Sequence, residues 1–308
     1  MDTVAVLLHR PEHLALQRLD LAEPGDADVT VDVRWSGIST GTERLLWTGA
    51  MPDFPGMGYP LVPGYESVGR VTRAGRDSGR RLGETVFVGG ARCFPVRSLF
   101  GSTAARLTAP GARVVPVPES LGEQAILLAL AATARHAIAD GMPDLIVGHG
   151  VLGRLAARLA VAAGSAPTVW ERNAGRAAGA LGYDVLTPEA DPRRDYGRIL
   201  DVSGDPDLLD ALIARLRPGG EVVLAGFYAK PLTFSFPPAF MREARLRVAA
   251  EWQPADMAAV TALVAEGRLD LDGLVTHRRD AAQAPDAYRV AFTDSDCLKM
   301  VLDWSNVA

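Results

Sequence analysis

The chain has 308 residues, of which 48% are hydrophobic, and its mean hydropathy of +0.09 gives enough apolar material for one large or two ordinary folded domains. Its net charge is −5 without a run of Lys or Arg, so we expect neither a nucleic-acid partner nor an anionic membrane surface. Two cysteines exclude an extensive disulfide framework. Because no apolar stretch reaches the length of a membrane span and no signal-peptide pattern is visible, we expect a cytoplasmic protein with no integral membrane segment.

The first part of the chain predicts a mostly β domain over residues 1–120. Short segments rich in β-branched and apolar residues alternate with turn residues. The predicted strands cover residues 4–8, 29–35, 67–74, 85–89 and 111–117.

From residue 121 to about 275, strands alternate with helices, which predicts a parallel sheet with helices on both faces. The predicted helices cover residues 123–139, 151–163, 174–181, 206–215 and 254–266. The predicted strands cover residues 145–147, 168–171, 184–186, 198–203, 221–226 and 246–250. A last strand, 298–303, belongs to a segment (276–308) that we expect to return to the first domain.

A Gly-x-Gly-x-x-Gly turn follows the apolar strand Leu-Ile-Val and opens a predicted helix. Such a turn is typical of dinucleotide sites, with the phosphates held at the helix N-terminus. Gly148 allows the tight turn, Gly150 lets a pyrophosphate approach the backbone, and Gly153 lets the helix pack closely on the strand. Val151 and Leu152, between the last two glycines, complete the predicted site.

Glu171 ends the next apolar strand, 18 residues after Gly153. A carboxylate there can accept hydrogen bonds from both hydroxyls of an adenosine ribose, and it repels a 2′-phosphate, so we expect NAD. The adjacent Arg172 could instead accommodate the phosphate of NADP, which keeps NADP open as the alternative.

The order of these parts resembles the medium-chain dehydrogenase/reductase family, in which a GroES-like β domain precedes a Rossmann domain with a doubly wound parallel sheet. Three local sequences carry the resemblance: Gly-Ile-Ser-Thr-Gly-Thr-Glu at 37–43, Pro-Gly-Tyr-Glu-Ser-Val-Gly at 63–69, and Leu-Arg-Pro-Gly-Gly-Glu-Val at 216–222. The resemblance implies an α/β fold of two domains and an oxidoreductase activity with a nicotinamide cofactor.

The chain departs from the family at the positions that hold the catalytic zinc. The matching residues are Ser39, Tyr65 and an apolar helix around Ala129, and Gly41 replaces the hydroxyl residue of the family's proton relay. Neutral hydroxyls are poor zinc ligands. We therefore predict that this protein holds no metal.

Without a metal, the proton of an alcohol must leave through side-chain groups. By motif position, Tyr65, Ser39 and Thr42 are the candidates for this catalytic role. The alternative for Tyr65 is that its ring fills the volume that zinc and its ligands would occupy.

The resemblance places further residues near the cofactor. Arg176 matches a basic position at the adenosine ribose, and Thr133 matches a turn beneath the nicotinamide. Ser203 and Gly226 end predicted strands and are expected to line the cleft. A structural role is favoured for His149 and His136, since neither has a visible carboxylate partner.

The segment 47–60 combines aromatic residues and methionines with Gly and Pro. Trp47, Phe54 and Tyr59 are predicted to form a wall for a flat apolar ligand, and the alternative is packing against their own domain. With the motifs above, this loop resembles a zinc-free branch of the family that oxidises the 3-(1-hydroxyethyl) group of a bacteriochlorophyllide to 3-acetyl. We expect Arg44 to pair with the propionate of such a pigment.

Three other functions remain open at this point. A zinc-free NAD(P)H quinone or enone reductase has the same architecture, a methyltransferase also uses a glycine turn followed by an acidic residue, and a pigment carrier would keep the aromatic loop. The resemblance implies an oligomer, since family members are commonly dimers or tetramers through the edge of the Rossmann sheet, and a homodimer is the expectation for this chain.

Overall fold

The computed structural model describes residues 1–53, 57–98 and 100–307. The chain divides into two compact units, one formed by Met1–Ala129 with Leu274–Ala308 and the other by Leu130–Gly273. The assignment of the pigment to the first unit and of the dinucleotide to the second stays a prediction. Among the described residues, no helix combines the length and the apolar character that a membrane crossing requires.

The first unit begins with a series of strands and one short helix, α1 (Thr42–Thr48). The strands are β1 (Asp2–Arg10), β2 (His13–Asp20), β3 (Asp28–Ile38), β4 (Leu61–Val62), β5 (Ser67–Ala74), β6 (Thr85–Val88), β7 (Arg97–Ser98), β8 (Arg106–Pro110) and β9 (Val114–Pro116).

The middle of the chain alternates between helix and strand. In chain order its elements are α2 (Leu128–Ala137), β10 (Leu145–Val147), α3 (Val151–Ala162), β11 (Thr168–Trp170), α4 (Ala174–Ala177), β12 (Asp184–Leu186), β13 (Tyr196–Asp201), α5 (Leu209–Ile213), β14 (Leu216–Leu224), α6 (Phe236–Met241), β15 (Arg245–Val248) and α7 (Pro254–Ala265). The chain then returns to the first unit through β16 (His277–Asp280), α8 (Ala284–Thr293) and β17 (Met300–Asp303).

Two sheets form the first unit. One has the order β2-β1-β4-β7, and the other has the order β16-β17-β3-β5-β6-β9, with β8 also paired to β3. Strand β17 runs antiparallel to β3, with Met300 opposite Ile38. This pairing brings the end of the chain beside the motif at 37–43.

The second unit contains one parallel sheet in the order β12-β11-β10-β13-β14-β15. This is the strand order 3-2-1-4-5-6 of the Rossmann fold, in which ligands bind at the carboxyl ends of the strands. The predicted α/β class is therefore confirmed.

Several predicted elements differ in extent. The helix expected over 123–139 starts as 3₁₀ turns (Glu119–Leu127) and becomes α-helical at Leu128, with the chain kinked at Gly122, whose φ is 55°. The helix expected over 174–181 is a single turn, and Gly179 follows it with φ 85°. The strand predicted at 111–117 is reduced to β9, since Gly111–Arg113 forms a 3₁₀ turn.

Candidate functional site

The glycine turn of the second unit has the geometry that each glycine predicts. Gly148 has φ 104°, which favours glycine. A Cβ on Gly153 would lie 1.9 Å from the carbonyl oxygen of Gly148, so only glycine lets α3 approach β10 this closely. At Gly150, which precedes α3, a Cβ would meet nothing within 4 Å. The turn therefore leaves open space in front of the α3 N-terminus, where Val151 and Leu152 form the first helical residues, and this cradle fits a pyrophosphate.

Glu171 lies against the glycine turn. Its Oε2 accepts from the backbone N–H of His149 at 3.1 Å, and its Oε1 accepts from the backbone N–H of Asn173 at 2.8 Å. Each carboxylate oxygen keeps a further lone pair for a ribose hydroxyl. The two backbone hydrogen bonds fix the carboxylate at the position where, in Rossmann folds, an acidic residue hydrogen-bonds to the adenosine ribose.

Two arginines lie near Glu171 in the sequence. The guanidinium of Arg172 is exposed and lies 3.9 Å from the carboxylate of Asp205. The carbonyl of Arg176 accepts from Nδ1 of His149 and from the buried Arg154. Since Nε2 of His149 then accepts from the hydroxyl of Tyr183 and burial lowers the pKa of His149, this imidazole is neutral and structural.

The carboxyl end of β13 carries a buried acid that the sequence analysis did not single out. Asp201 accepts from the amide and the hydroxyl of Ser203 and from the hydroxyl of Tyr228, at 2.9, 2.6 and 2.9 Å. A Cβ on Gly226 would lie 3.0 Å from the amide nitrogen of Gly204. Asp201 therefore orders the strand ends where Ser203 and Gly226 are predicted to line a cleft, while Thr133 lies partly buried on α2.

In the first unit, the three predicted catalytic hydroxyls come together. The hydroxyl of Tyr65 donates to Oγ of Ser39 at 2.5 Å, and the neighbouring side chain of Thr42 acts to lower the pKa of Tyr65. Ser39 is buried, and Tyr65 and Thr42 are partly buried. Burial, with the nearby carboxylates of Glu66 and Glu43, raises the pKa of Tyr65 well above its ordinary value.

Behind these hydroxyls lies the carboxylate of Glu43, which is 2% exposed. Its Oε1 accepts from the amide N–H of Ser39 at 3.3 Å, and its Oε2 accepts from the hydroxyl of Tyr288 on α8 at 2.7 Å. Burial raises the pKa of Glu43 to about 7 against the lowering effect of the Tyr288 hydrogen bond.

A second buried acid, Glu66, forms an ion pair. Nζ of Lys299 lies 2.9 and 2.8 Å from the two carboxylate oxygens of Glu66 and donates to the carbonyl of Ile38 at 3.3 Å. Both side chains are almost completely buried, at 1% and 0% exposed. This pair ties the residue ahead of β17 to the motif at 63–69.

The donor set in this unit does not fit zinc. The residues at the matching positions, Ser39 and Tyr65, are neutral hydroxyls bonded to each other, and burial makes Tyr65 harder to ionise. Over residues 1–53, 57–98 and 100–307, no three His, Cys, Asp or Glu side chains are grouped so that they could hold a metal.

The aromatic segment lies partly on the core of the first unit. The ring of Trp47 packs against the rings of Tyr288 and Phe292, with centroids 6.4 and 6.1 Å apart. The hydroxyl of Tyr59 donates to the carbonyl of Leu46 at 2.5 Å. These contacts favour the packing interpretation for the two rings. Phe54 lies outside the described residues.

Two further predicted residues have clear positions. Arg44 is exposed on α1, and its pairing with a propionate stays a prediction. Nδ1 of His136 lies 2.9 Å from a carboxylate oxygen of Asp256, which also caps the start of α7. Because this contact joins α2 to α7, it gives His136 a structural role, which sequence spacing could not reveal.

Comparisons with known proteins show which class of protein has this fold and these motifs. A model of the alcohol dehydrogenase GroES-like domain matches residues 25–119. A structure from Escherichia coli CFT073 described as a short chain alcohol dehydrogenase complexed with cofactor NADH is similar, with a TM-score of 0.82, 19% identity and 98% and 99% of the two chains covered. A putative zinc-binding dehydrogenase from Sinorhizobium meliloti 1021, bound to NADP, has a TM-score of 0.81, 20% identity and the same coverage. The architecture is that of a medium-chain dehydrogenase.

The sequence comparison narrows this class. The chain is 56% identical over 312 residues to the 2-desacetyl-2-hydroxyethyl bacteriochlorophyllide A dehydrogenase of Rhodobacter capsulatus, and the match covers 99% of both chains. The chain belongs to this family of bacteriochlorophyllide dehydrogenases within the medium-chain dehydrogenases. The methyltransferase interpretation is thereby wrong.

Proposed function

We propose that this protein oxidises the secondary alcohol of a ring 3-(1-hydroxyethyl) group on a bacteriochlorophyllide to the 3-acetyl ketone, with NAD as hydride acceptor. The observation that carries the proposal is the 56% identity to the Rhodobacter capsulatus dehydrogenase over 99% of both chains. No observation favours the alternative function, a quinone or enone reductase. A cytoplasmic location completes the proposal, and the buried thiols of Cys93 and Cys297 suit a reducing compartment.

The hydroxyl group of the substrate is held by the cluster of Tyr65, Ser39 and Thr42. Because the hydroxyl of Tyr65 already donates to Ser39, its oxygen is left to accept a hydrogen bond from the alcohol. The raised pKa of Tyr65 means that the phenol passes a proton on and does not store the negative charge. A bound nicotinamide would supply the acceptor for the carbinol hydride.

The dinucleotide is bound by the glycine turn and by the strand ends beside it. The α3 N-terminus and Gly150 hold the pyrophosphate, and Glu171 accepts from the ribose hydroxyls. Arg176, Thr133, Ser203 and Gly226 complete the proposed contacts. The preference for NAD rests on the charge of Glu171, since a 2′-phosphate would meet a carboxylate fixed by two backbone N–H groups.

Replacing Glu171 should therefore change cofactor choice. We expect Glu171→Gln, which removes the charge and keeps an acceptor, to lower kcat/KM for NAD by about 10-fold and to raise kcat/KM for NADP. The measurement is kcat/KM for both cofactors with the same pigment.

Arg172→Ala provides the matched control. It removes the neighbouring charge, which lies 3.9 Å from Asp205, and should leave the preference for NAD in place. A wild-type enzyme that uses NADP as well as NAD, or a Glu171→Gln variant with unchanged preference, would contradict this assignment.

The proposed pigment contacts are Arg44, Trp47, Tyr59 and Phe54. Support from the structure is strongest for Arg44, which is exposed and free to meet a propionate. Trp47 and Tyr59 are both partly buried. We propose that the pigment contacts only the faces of these rings that packing leaves exposed.

A homodimer through the edge of the Rossmann sheet is also proposed. Strand β15 ends the sheet, and Val248 on it is 76% exposed. The neighbouring helix α6 exposes Phe236, Phe240 and Met241 at 68, 65 and 75%. Exposed apolar side chains at an edge to which the described residues add no further strand favour pairing with a second copy.

Placing a charge on this edge should separate the copies. We expect Val248→Lys to convert the dimer to a monomer in sedimentation equilibrium, because lysine on an edge strand opposes strand pairing. Leu82→Lys changes an exposed apolar residue of the first unit, 69% exposed, and should leave the dimer intact. A monomeric wild type would rule out the proposed dimer.

A further inference from the structure

We propose that Glu43 is the final acceptor of the substrate's hydroxyl proton, which reaches it through Tyr65 and Ser39. This inference rests on the proposed alcohol oxidation. The proposed roles of Tyr65, Ser39 and Thr42 do not explain why a carboxylate is buried beside them, and this inference gives Glu43 a role in the reaction.

The contacts of Glu43 suit a group that changes its charge. The carboxylate is held by two neutral donors, the amide of Ser39 and the hydroxyl of Tyr288. Over the described part of the chain it forms no ion pair, although it is 2% exposed. A buried carboxylate without a cation partner gains a proton readily, because burial disfavours its charged form.

The other groups of the cluster are poorer acceptors. The carboxylate of Glu66 is bonded through both oxygens to Lys299, so protonation would leave a buried ammonium without its counter-charge. Tyr65 resists ionisation, since burial and two nearby carboxylates raise its pKa. Glu43, with a pKa of about 7, is matched to proton transfer at neutral pH.

The proton movement balances with the groups already present. The alcohol gives its hydroxyl proton to the oxygen of Tyr65, while Tyr65 gives its own proton to Oγ of Ser39. The hydroxyl proton of Ser39 passes to the Glu43 carboxylate, directly after rotation of the hydroxyl or through one water. With the dinucleotide bound, the C–H electron pair would leave as hydride to the nicotinamide while the carbonyl forms. Glu43 ends as a neutral acid and later releases its proton to solvent.

The charged and titratable groups that face Glu43 come from three other segments. Tyr288 lies on α8, Tyr65 and Glu66 lie just before β5, and Lys299 lies just before β17. Glu66 raises the pKa of Glu43, while Lys299 and the Tyr288 hydrogen bond lower it. Removal of the Tyr288 hydroxyl should therefore move the Glu43 titration to higher pH.

Two variants test the inference by their pH profiles. In the wild type, alcohol oxidation should rise with pH around 7, since the acceptor must be ionised. Glu43→Gln should lower the rate of hydride transfer about 100-fold at pH 8 and remove this limb of the profile. Tyr288→Phe should keep the limb but move its midpoint upward by about one pH unit. Glu12→Gln, on the exposed turn between β1 and β2, should reproduce the wild-type profile.

A stability measurement gives a second readout that does not use activity. The pKa of Glu43 is raised from its ordinary value of 4.5 to about 7, so the folded protein binds the proton more tightly than the unfolded chain. The stabilisation is complete below pH 4.5 and is lost as pH rises through about 7. The melting temperature of the wild type should therefore fall relative to that of Glu43→Gln over this range.

The outcomes separate the inference from the function on which it rests. A wild type that forms no reduced nicotinamide with the pigment overturns the proposed function and this inference together. If the wild type is active, two results overturn the inference alone. One is that the rate of Glu43→Gln still rises with pH near 7, and the other is that the midpoint of this rise is unchanged in Tyr288→Phe. If Glu43→Gln fails to fold, the Tyr288→Phe profile decides.

Discussion

Tyr65→Phe is expected to lower kcat for pigment oxidation by about 100- to 1,000-fold while the dissociation constants of NAD and the pigment change little. The reason is geometric. The phenol oxygen of Tyr65 links the alcohol to Oγ of Ser39, 2.5 Å away, and phenylalanine retains the ring but breaks this link. Single-turnover kinetics with saturating cofactor would measure the chemical step directly.

Tyr196→Phe is the matched control for this variant. Its hydroxyl is also buried and donates to Asp191 at 2.7 Å, but it lies at the start of β13, at the end of the sheet opposite the proposed cleft. We expect it to reduce stability without reducing kcat. A Tyr65→Phe enzyme with wild-type kcat would show that this ring only fills space, which is the packing alternative.

Lys299→Met is expected to lower the free energy of unfolding by about 3–5 kcal/mol, because it leaves the carboxylate of Glu66 buried without its partner. Urea denaturation monitored by circular dichroism measures the change. The loss should shrink when Glu66→Gln is added, since the double variant removes both charges.

An exposed ion pair provides the comparison. Arg70 and Glu119 lie 2.6 Å apart on the surface of the same unit, with side chains 53 and 74% exposed. Glu119→Gln should therefore cost about 0–1 kcal/mol. Equal losses from the two variants would contradict the assignment of Lys299 and Glu66 as a structural pair that joins the returning segment to the first unit.

The features that the sequence predicts well are those with local causes. The glycine turn is an example, since the positive φ of Gly148 and the tight contact at Gly153 arise within six residues. The alternation of strands and helices likewise predicted the parallel sheet. Helix α1 was missed although Gly41 and Gly49 bound it, and Gly49 has the left-handed φ of 72° that ends a helix.

The buried acids of the first unit could not be predicted in the same way. Glu43 meets Tyr288, which lies 245 residues further along the chain, and Lys299 lies 233 residues from Glu66. Each contact depends on the return of the chain beside β3, and nothing in the local pattern specifies the partner. The sequence marks Glu43 only by its place in the motif Gly-Thr-Glu. This position indicates a role in the site only together with the burial of the side chain.

The second unit shows the same limit. The sequence predicted the role of Glu171 from its distance to the glycine turn, but the backbone bonds that hold it come from His149 and Asn173. Asp201 could not be predicted because an acidic residue at a strand end gives no periodic signal, although its carboxylate binds Ser203 and Tyr228. Local motifs thus predicted the strand, turn and helix around Gly148 better than they predicted the contacts that fix Glu171 and Asp201.

The most direct test of the proposed function is to incubate the purified protein with NAD and a 3-(1-hydroxyethyl) bacteriochlorophyllide. The near-ultraviolet absorption of the nicotinamide and the red absorption band of the pigment are then followed together. We predict that NADH and the acetyl pigment accumulate in equal amounts and that the red band shifts as the new carbonyl conjugates with the ring. Absence of NADH with this pigment would contradict the account.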